Sequence, residues 1–228
     1  MGRGIKPPAH VDSCPCSHIV LAVHHHRLKI FYTIKYLKLS QKQQMKKRWF
    51  GTDGIRGELN KDLTQKEISK IAYLYAKYIH ASKILVGMDS RNGNLLLLKW
   101  ISKGLANAKT KIHFCGVMPT PAISFLAKKH NYDGAIAITA SHNLPKYNGI
   151  KFFKEKGVKL SEDDEQEIES RMFNHINIER KPPKIEEVNL SQDYLNMLKK
   201  AAPKADFNIL FDFSNGACSA LASFFKET

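Results

Sequence analysis

The chain has 228 residues, 43% hydrophobic and 25% charged, with a formal net charge of +15 at pH 7. This composition fits a globular protein with one full domain and part of a second, and no apolar run approaches the ~20 residues that span a bilayer. The four cysteines, Cys14, Cys16, Cys115 and Cys218, form no disulfide framework, so free thiols and a cytoplasmic setting are the expectation.

Residues 1–44 differ from the rest, with seven Lys/Arg against the single acid Asp12. They hold Pro7-Pro8, Cys14-Pro15-Cys16, and His24 to His26, with weak periodicity. The short run Ile19 to Val23 precedes three histidines and lacks a cleavage site, so it is not read as a signal peptide. The Cys/His group lacks a second ordered ligand pair and is read as adventitious metal affinity. The segment is expected to be an extension, disordered or non-native, with Met45 as the start. The basic balance attracts anions, either nucleic acid or phosphorylated metabolites. No motif supports specific nucleic-acid binding.

From residue 49 the chain alternates in type. Leu63 to Ile79 carries a helical apolar stripe, with Thr64 as its cap. Ile84 to Met88 reads as a buried strand, Asn94 to Ala108 as a helix, and Lys111 to Val117 as a strand. Pro121 to His130 is a helix opened by proline. Gly134 to Thr139 and Gly149 to Phe153 are strands, and Glu162 to Met172 is an acid-led helix capped by Ser161. The acidic run Glu162 to Glu165 is read as a solvated, dipole-matched face. Lys181 to Lys184 marks a linker, Tyr194 to Leu198 a helix, and Phe207 to Phe213 a strand that turns into a final helix. The alternation implies a layered α/β/α domain (45–180) followed by the start of a second, similar domain (181–228). The quick return from Thr139 to Gly149 predicts an antiparallel pair, hence a mixed β-sheet.

Four loops carry chemistry-bearing residues. Phe50 to Gly57 has three glycines, and Arg56 can clasp a phosphate; a plain turn with Arg56 paired to Asp53 fits equally well. In Gly87 to Arg91, Arg91 can reach a ligand at the strand's carboxyl end or brace the loop with Asp89. Gly116 to Pro121 is stiffened by two prolines and assigned to shape. Thr139-Ala140-Ser141-His142-Asn143, with Asn148 to Lys151, places a hydroxyl just past an apolar strand; Ser141 or Asn143 as a simple turn cap is the competing reading.

Taken in this order, the segments resemble the α-D-phosphohexomutase family of phosphoglucomutases, phosphomannomutases and phosphoglucosamine mutases. Phe50 to Gly57 is similar to its Gly-Thr-Asp-Gly-Ile/Val-Arg-Gly segment, and Thr139 to Lys151 to its phosphoserine loop. The resemblance implies a phosphoserine enzyme that moves phosphate between C6 and C1 of a hexose phosphate through a hexose bisphosphate. Ser141, His142, Lys151 and Arg56 would be catalytic, with Ser141 carrying the phosphoryl group. His142 and Lys151 would exchange the sugar hydroxyl proton, and Lys151 and Arg56 would balance phosphate charge. Asn143 and Arg91 would bind phosphate or substrate. Mg2+ would sit on a Ser141 phosphate oxygen and on three aspartates of an Asp-Gly-Asp-Gly-Asp loop. The 228 residues contain no such run, so little mutase activity is expected of this chain alone. Leu144 precedes Pro145 where the family usually has proline directly after Ser-His-Asn. Asn92-Gly93 stands where Ser-Gly is common. Phe50 to Gly57 together with Gly116 to Pro121 is nearest to phosphoglucosamine mutases. A non-catalytic anion-binding or regulatory module is the alternative; the sugar and oligomeric state stay open.

Overall fold

Among the described residues a mixed seven-stranded sheet organises the protein, with strands in the order Ile55–Glu58, Tyr147–Lys154, Gly134–Ile138, Lys83–Met88, Lys111–Val117 and Ile185–Glu187, and Val158–Lys159 beside Tyr147–Lys154. The computed structural model describes residues 49–179, 182–202 and 210–222. The amino-terminal segment, its Cys/His group, Met45 and the first half of the strand expected at 207–213 lie outside these residues.

The strands are β1 (Ile55–Glu58), β2 (Lys83–Met88), β3 (Lys111–Val117), β4 (Gly134–Ile138), β5 (Tyr147–Lys154), β6 (Val158–Lys159) and β7 (Ile185–Glu187). β2 runs parallel to β3 and β4, and β3 parallel to β7. β5 is antiparallel to β4, as the short Thr139 to Gly149 return predicts, and also to β1 and β6. The helices are α1 (Gln65–Tyr78), α2 (Asn94–Asn107), α3 (Thr120–Lys129), α4 (Glu162–Ser170) and α5 (Ser191–Ala201).

Strand alternation builds two cores. Ile84, Val86, Ile136, Ile138, Ile150 and Phe152 face one way and pack with α1, α2 and α4. Leu85, Ala135, Ala137 and Phe153 face the other way and pack with α3 and Tyr194 of α5. The central strands are covered on both faces, which is why they read as unbroken apolar runs. Each fully buried Ile or Leu contributes about 2 kcal/mol. Gly104 lets α1 and α2 cross closely, because a Cβ there would lie 2.1 Å from the Ser69 carbonyl oxygen. Ser69 donates to the Trp100 carbonyl at 2.8 Å across the same contact.

The caps are local. Thr64 Oγ1 accepts from the Glu67 amide, and Ser161 and Asp164 form a reciprocal capping box. The acidic face expected to be solvated is partly buried instead: Asp164 is 7% exposed and Glu165 3%. Asp164 accepts hydrogen bonds from Tyr78 and Lys154, partners supplied by α1 and β5. The expected helix to Met172 ends at Ser170 and tightens into a 3-10 turn over Arg171–Phe173.

Three strands have no counterpart in the sequence reading. β1 lies inside the glycine-rich loop, and β6 and β7 are too short to carry a period. β7 begins two residues after Pro183 and extends the same sheet by pairing with β3. α5 then lies against α3, with Asp193 bridging Lys129 at 2.6 Å and His130 at 2.7 Å. Leu210 to Phe213 is not strand; Ser214 and Asn215 turn, and a 3-10 helix spans Ala217–Leu221. No helix among the described residues is long and apolar enough to cross a membrane.

Candidate active site

The carboxyl ends of β2, β3 and β4 release three loops at one edge of the sheet, the position where open α/β sheets bind ligands. Ser141 stands on the loop after β4. The Thr139 amide donates to Gly149 O at 2.9 Å, prolonging the β4–β5 ladder by one residue. The Thr139 hydroxyl oxygen then accepts from the Ser141 amide at 2.9 Å. Ser141 has φ +55°, a left-handed conformation uncommon for a side-chain-bearing residue. The bend exposes the side chain and brings Oγ within 3.5 Å of His142 Nδ1, a long contact rather than a strong hydrogen bond.

Arg91 holds this loop from beneath. Its Nη1 donates to the carbonyls of Leu144 (3.0 Å) and Tyr147 (2.9 Å), and its Nη2 to those of Ser141 (2.8 Å) and Asn143 (2.6 Å). Asp89 covers the remaining side, 3.4 Å from Nε. Every terminal N–H of the guanidinium is thereby taken, leaving none for a phosphate. These bonds fit the bracing alternative for Arg91: its planar fork reaches four carbonyls between Ser141 and Tyr147, the first residue of β5.

A buried amide pair completes the frame. Asn94 is fully buried, and its side-chain nitrogen donates to the Asp89 carbonyl, to Asp89 Oδ1 and to the Ile138 carbonyl. Asn148 donates to Asn94 Oδ1 at 2.9 Å. Thus β5, α2 and the ends of β2 and β4 are tied together under Ser141.

The cations come from the opposite side. Asp53 contacts Lys151 at 2.5 Å, Arg56 at 3.3 Å and Lys159 at 3.4 Å. The Lys151 hydrogen bond holds the Asp53 carboxyl below its usual range against the opposing effect of partial burial, and Lys159 adds to the effect. Nη1 of Arg56 also donates to Asn143 Oδ1 at 2.6 Å, joining this cluster to the Ser141 loop. Gly54 makes the approach possible: its φ is +85°, and a Cβ would lie 2.3 Å from the Ile150 carbonyl oxygen.

The site thus assembles Ser141, His142, Asn143, Arg56 and Lys151 through contacts along and beneath one loop, while Arg91 is turned inward. The sequence reading missed Lys159, the Asn94–Asn148 pair, and Asp53 as the shared partner of three cations. Lys159 is invisible in sequence because it reaches the site through the β5–β6 hairpin, opposite Phe153. Asn148 lay inside the recognised Asn-Gly-Ile-Lys segment, and its burial was the missing information.

Asp89, Thr139, Ser141, Pro119, Asp212 and Asn215 are among the residues lining a cavity of about 830 Å³ at this edge. The Ser90 hydroxyl donates to the Asn215 carbonyl at 2.6 Å, closing one wall. Among the described residues no group of three or more His, Cys, Asp or Glu could hold a metal ion. The loop carbonyls that could add oxygen ligands are turned towards Arg91. The residues present do not by themselves fit Mg2+, which requires near-octahedral oxygen ligation.

A phosphoglucosamine mutase from Caldicellulosiruptor saccharolyticus is 38% identical over 187 residues, which is 76% of this chain and 41% of that protein. One from Clostridium kluyveri is 43% identical over 126 residues, or 54% of this chain and 28% of that protein. The chain therefore spans less than half the length of these curated relatives. Among solved structures, a proposed phosphomannomutase from Thermus thermophilus superposes with a TM-score of 0.61 at 26% identity, covering 69% of this chain and 37% of that one. Parafusin, a phosphoglucomutase from Paramecium, superposes in its open form at 0.63 with 22% identity, covering 77% and 40%, and shares the fold. The family described as "Phosphoglucomutase/phosphomannomutase, alpha/beta/alpha domain I" matches residues 47–179. With the layered sheet and the Ser141 edge in place, this match makes the chain a member of the phosphoglucomutase/phosphomannomutase family of phosphohexomutases, carrying its first α/β/α domain.

Proposed function

We propose that Ser141 accepts and returns the phosphoryl group in a phosphohexomutase reaction that moves phosphate between C6 and C1 of a hexose phosphate. Glucosamine phosphate is the first choice of substrate, because relatives matching three quarters of the chain are phosphoglucosamine mutases. The observation that carries this reading is the exposed Ser141 hydroxyl on a loop locked by Arg91 and joined through Asn143 to the cations on Asp53.

Phosphoryl transfer depends mainly on positioning and charge neutralisation. When phospho-Ser141 gives up its group, the bond from phosphorus to Oγ breaks and a bond from phosphorus to the sugar hydroxyl oxygen forms. The sugar hydroxyl proton leaves, and Oγ regains one. His142 is the nearest neighbour to exchange the Oγ proton, its Nδ1 lying 3.5 Å from Oγ. Lys151, paired as an ammonium with Asp53, supplies positive charge and a proton donor, and Arg56 a fork for phosphate oxygens. Mg2+ is the expected cation of the reaction, and of these residues Ser141, as its phosphate ester, is the one that would hold it. A cytoplasmic setting accords with the free thiols of Cys115 and Cys218.

The test is peptide mass spectrometry of the chain as purified and after incubation with a hexose bisphosphate. A phosphoryl group on the Ser141 peptide, absent from Ser141→Ala, is expected. Modification confined to other serines refutes the reading.

A further inference from the structure

Asp53 has an unusual set of partners. Its carboxylate meets Lys151, Arg56 and Lys159 within 3.4 Å, one negative charge among three positive ones. The carboxylate is 42% exposed, so it was not drawn into the interior. It sits on a tight turn, closed by the Gly51 amide donating to Gly54 O at 2.8 Å. Lys159 also donates to the Thr52 carbonyl at 3.0 Å, fastening the same turn. Lys151 and Arg56 are the less exposed partners, their side chains 14% and 26% exposed. Without Asp53, these two cations would face each other with no carboxylate between them.

We propose that Asp53 is a built-in surrogate anion: it occupies Lys151 and Arg56 while Ser141 is unphosphorylated and is displaced from them by an arriving phosphoryl group. This rests on the Ser141 reading. A phosphate dianion has more oxygens and more charge than one carboxylate, and it fits the guanidinium fork equally well. The exchange gives selectivity. A free inorganic anion must compete with Asp53 using its own binding energy alone. A group delivered on a bound sugar, or already attached to Ser141, competes at a high effective concentration. Asp53 thus keeps the unloaded site from filling with stray inorganic anions. It also prevents two closely spaced cations from repelling each other before substrate arrives.

The test uses inorganic sulfate, a dianion throughout the neutral range, titrated calorimetrically into the unphosphorylated chain. Asp53→Asn is expected to bind sulfate about tenfold more tightly than the parent, since a competing charge in contact with both cations has been removed. Asp53→Glu should return binding to the parent level, and Arg56→Gln should weaken it. A merely structural Asp53 predicts the opposite sign: loosening the turn would weaken sulfate binding. Equal or weaker binding by Asp53→Asn, with its circular dichroism spectrum unchanged, overturns the proposal. If Asp53→Asn does not fold, Asp53→Ser takes its place under the same criterion. Sulfate binding needs no phosphorylation, so the two ideas fail separately. Modification confined to other serines with tight sulfate binding by Asp53→Asn removes the transfer reading alone, and a phosphorylated Ser141 with unchanged sulfate binding removes the surrogate anion alone.

Discussion

Asn148 donates its side-chain N–H to the buried Oδ1 of Asn94, 2.9 Å away, and through that bond β5 is tied to the start of α2 beneath the Ser141 loop. Neither side chain has solvent to fall back on. Replacing Asn94 by alanine strands the Asn148 amide and releases the Asp89 and Ile138 carbonyls. A destabilisation of about 2–3 kcal/mol is expected, because unsatisfied buried groups cost more than the bond was worth. Urea unfolding of Asn94→Ala checks this, and a loss below half that size would show that water enters and repairs the site.

Arg91→Lys keeps the charge but loses the fork. An ammonium cannot reach four carbonyls spread from Ser141 to Tyr147 in the geometry that the guanidinium spans. The expectation is a stability loss of about 1–2 kcal/mol with faster hydrogen exchange at the Asn143 and Tyr147 amides, which close the loop's turns. Exchange rates equal to those of the parent would mean that the loop holds itself.

Two glycines of positive φ separate conformational strain from collision. At Gly54 (φ +85°) a Cβ would strike the Ile150 carbonyl, whereas at Gly116 (φ +77°) it would meet nothing within 4 Å. Gly116→Ala should cost about 1 kcal/mol from backbone strain alone. Gly54→Ala should cost at least ~3 kcal/mol and shift β1 away from β5. Thermal unfolding of the two variants side by side tests the ordering.

The α1–α4 contact sets a pH dependence at both extremes. Burial would raise the Asp164 carboxyl, but hydrogen bonds from Lys154, Tyr78 and Ser161 outweigh it and hold the group well below its ordinary value of 3.8. A depressed folded-state value means the stabilisation is present above pH 3.8 and fades as the pH falls below it. Tyr78 is pushed the other way, from 10.0 to about 12, chiefly by its hydrogen bond to Asp164. Its contribution is complete below pH 10.0 and fades as the pH rises towards 12. Unfolding free energies measured across pH should fall at both ends for the parent and flatten at the acid end for Asp164→Asn. An acid limb unchanged in that variant would place the dependence elsewhere.

Periodicity carried the long elements. The stripe of Ile68, Ile71, Ala72 and Tyr75, the strand Lys111 to Val117 and the Thr64 and Ser161 caps are set by neighbours a few residues away, and their ends in the structure fall within about two residues of those expected. β6 and β7, two and three residues long, had no such signal; only the partner strand defines them. Asp164 and Glu165 look like surface acids at a helix start until α4 packs down onto α1 and β5.

By itself the sequence determined the alternation of strands and helices, the antiparallel return after Thr139 and the hydroxyl at the tip of β4, because these depend on apolar period, turn chemistry and a short connecting loop. The tertiary structure decided which charges far apart in the chain meet. It turned Arg91 inward onto four carbonyls and brought Lys151 and Lys159 to one carboxylate at Asp53. The physical reason is distance: local pattern acts over a few residues, whereas a side chain's electrostatic partner is set by how strands far apart in the chain are registered against one another.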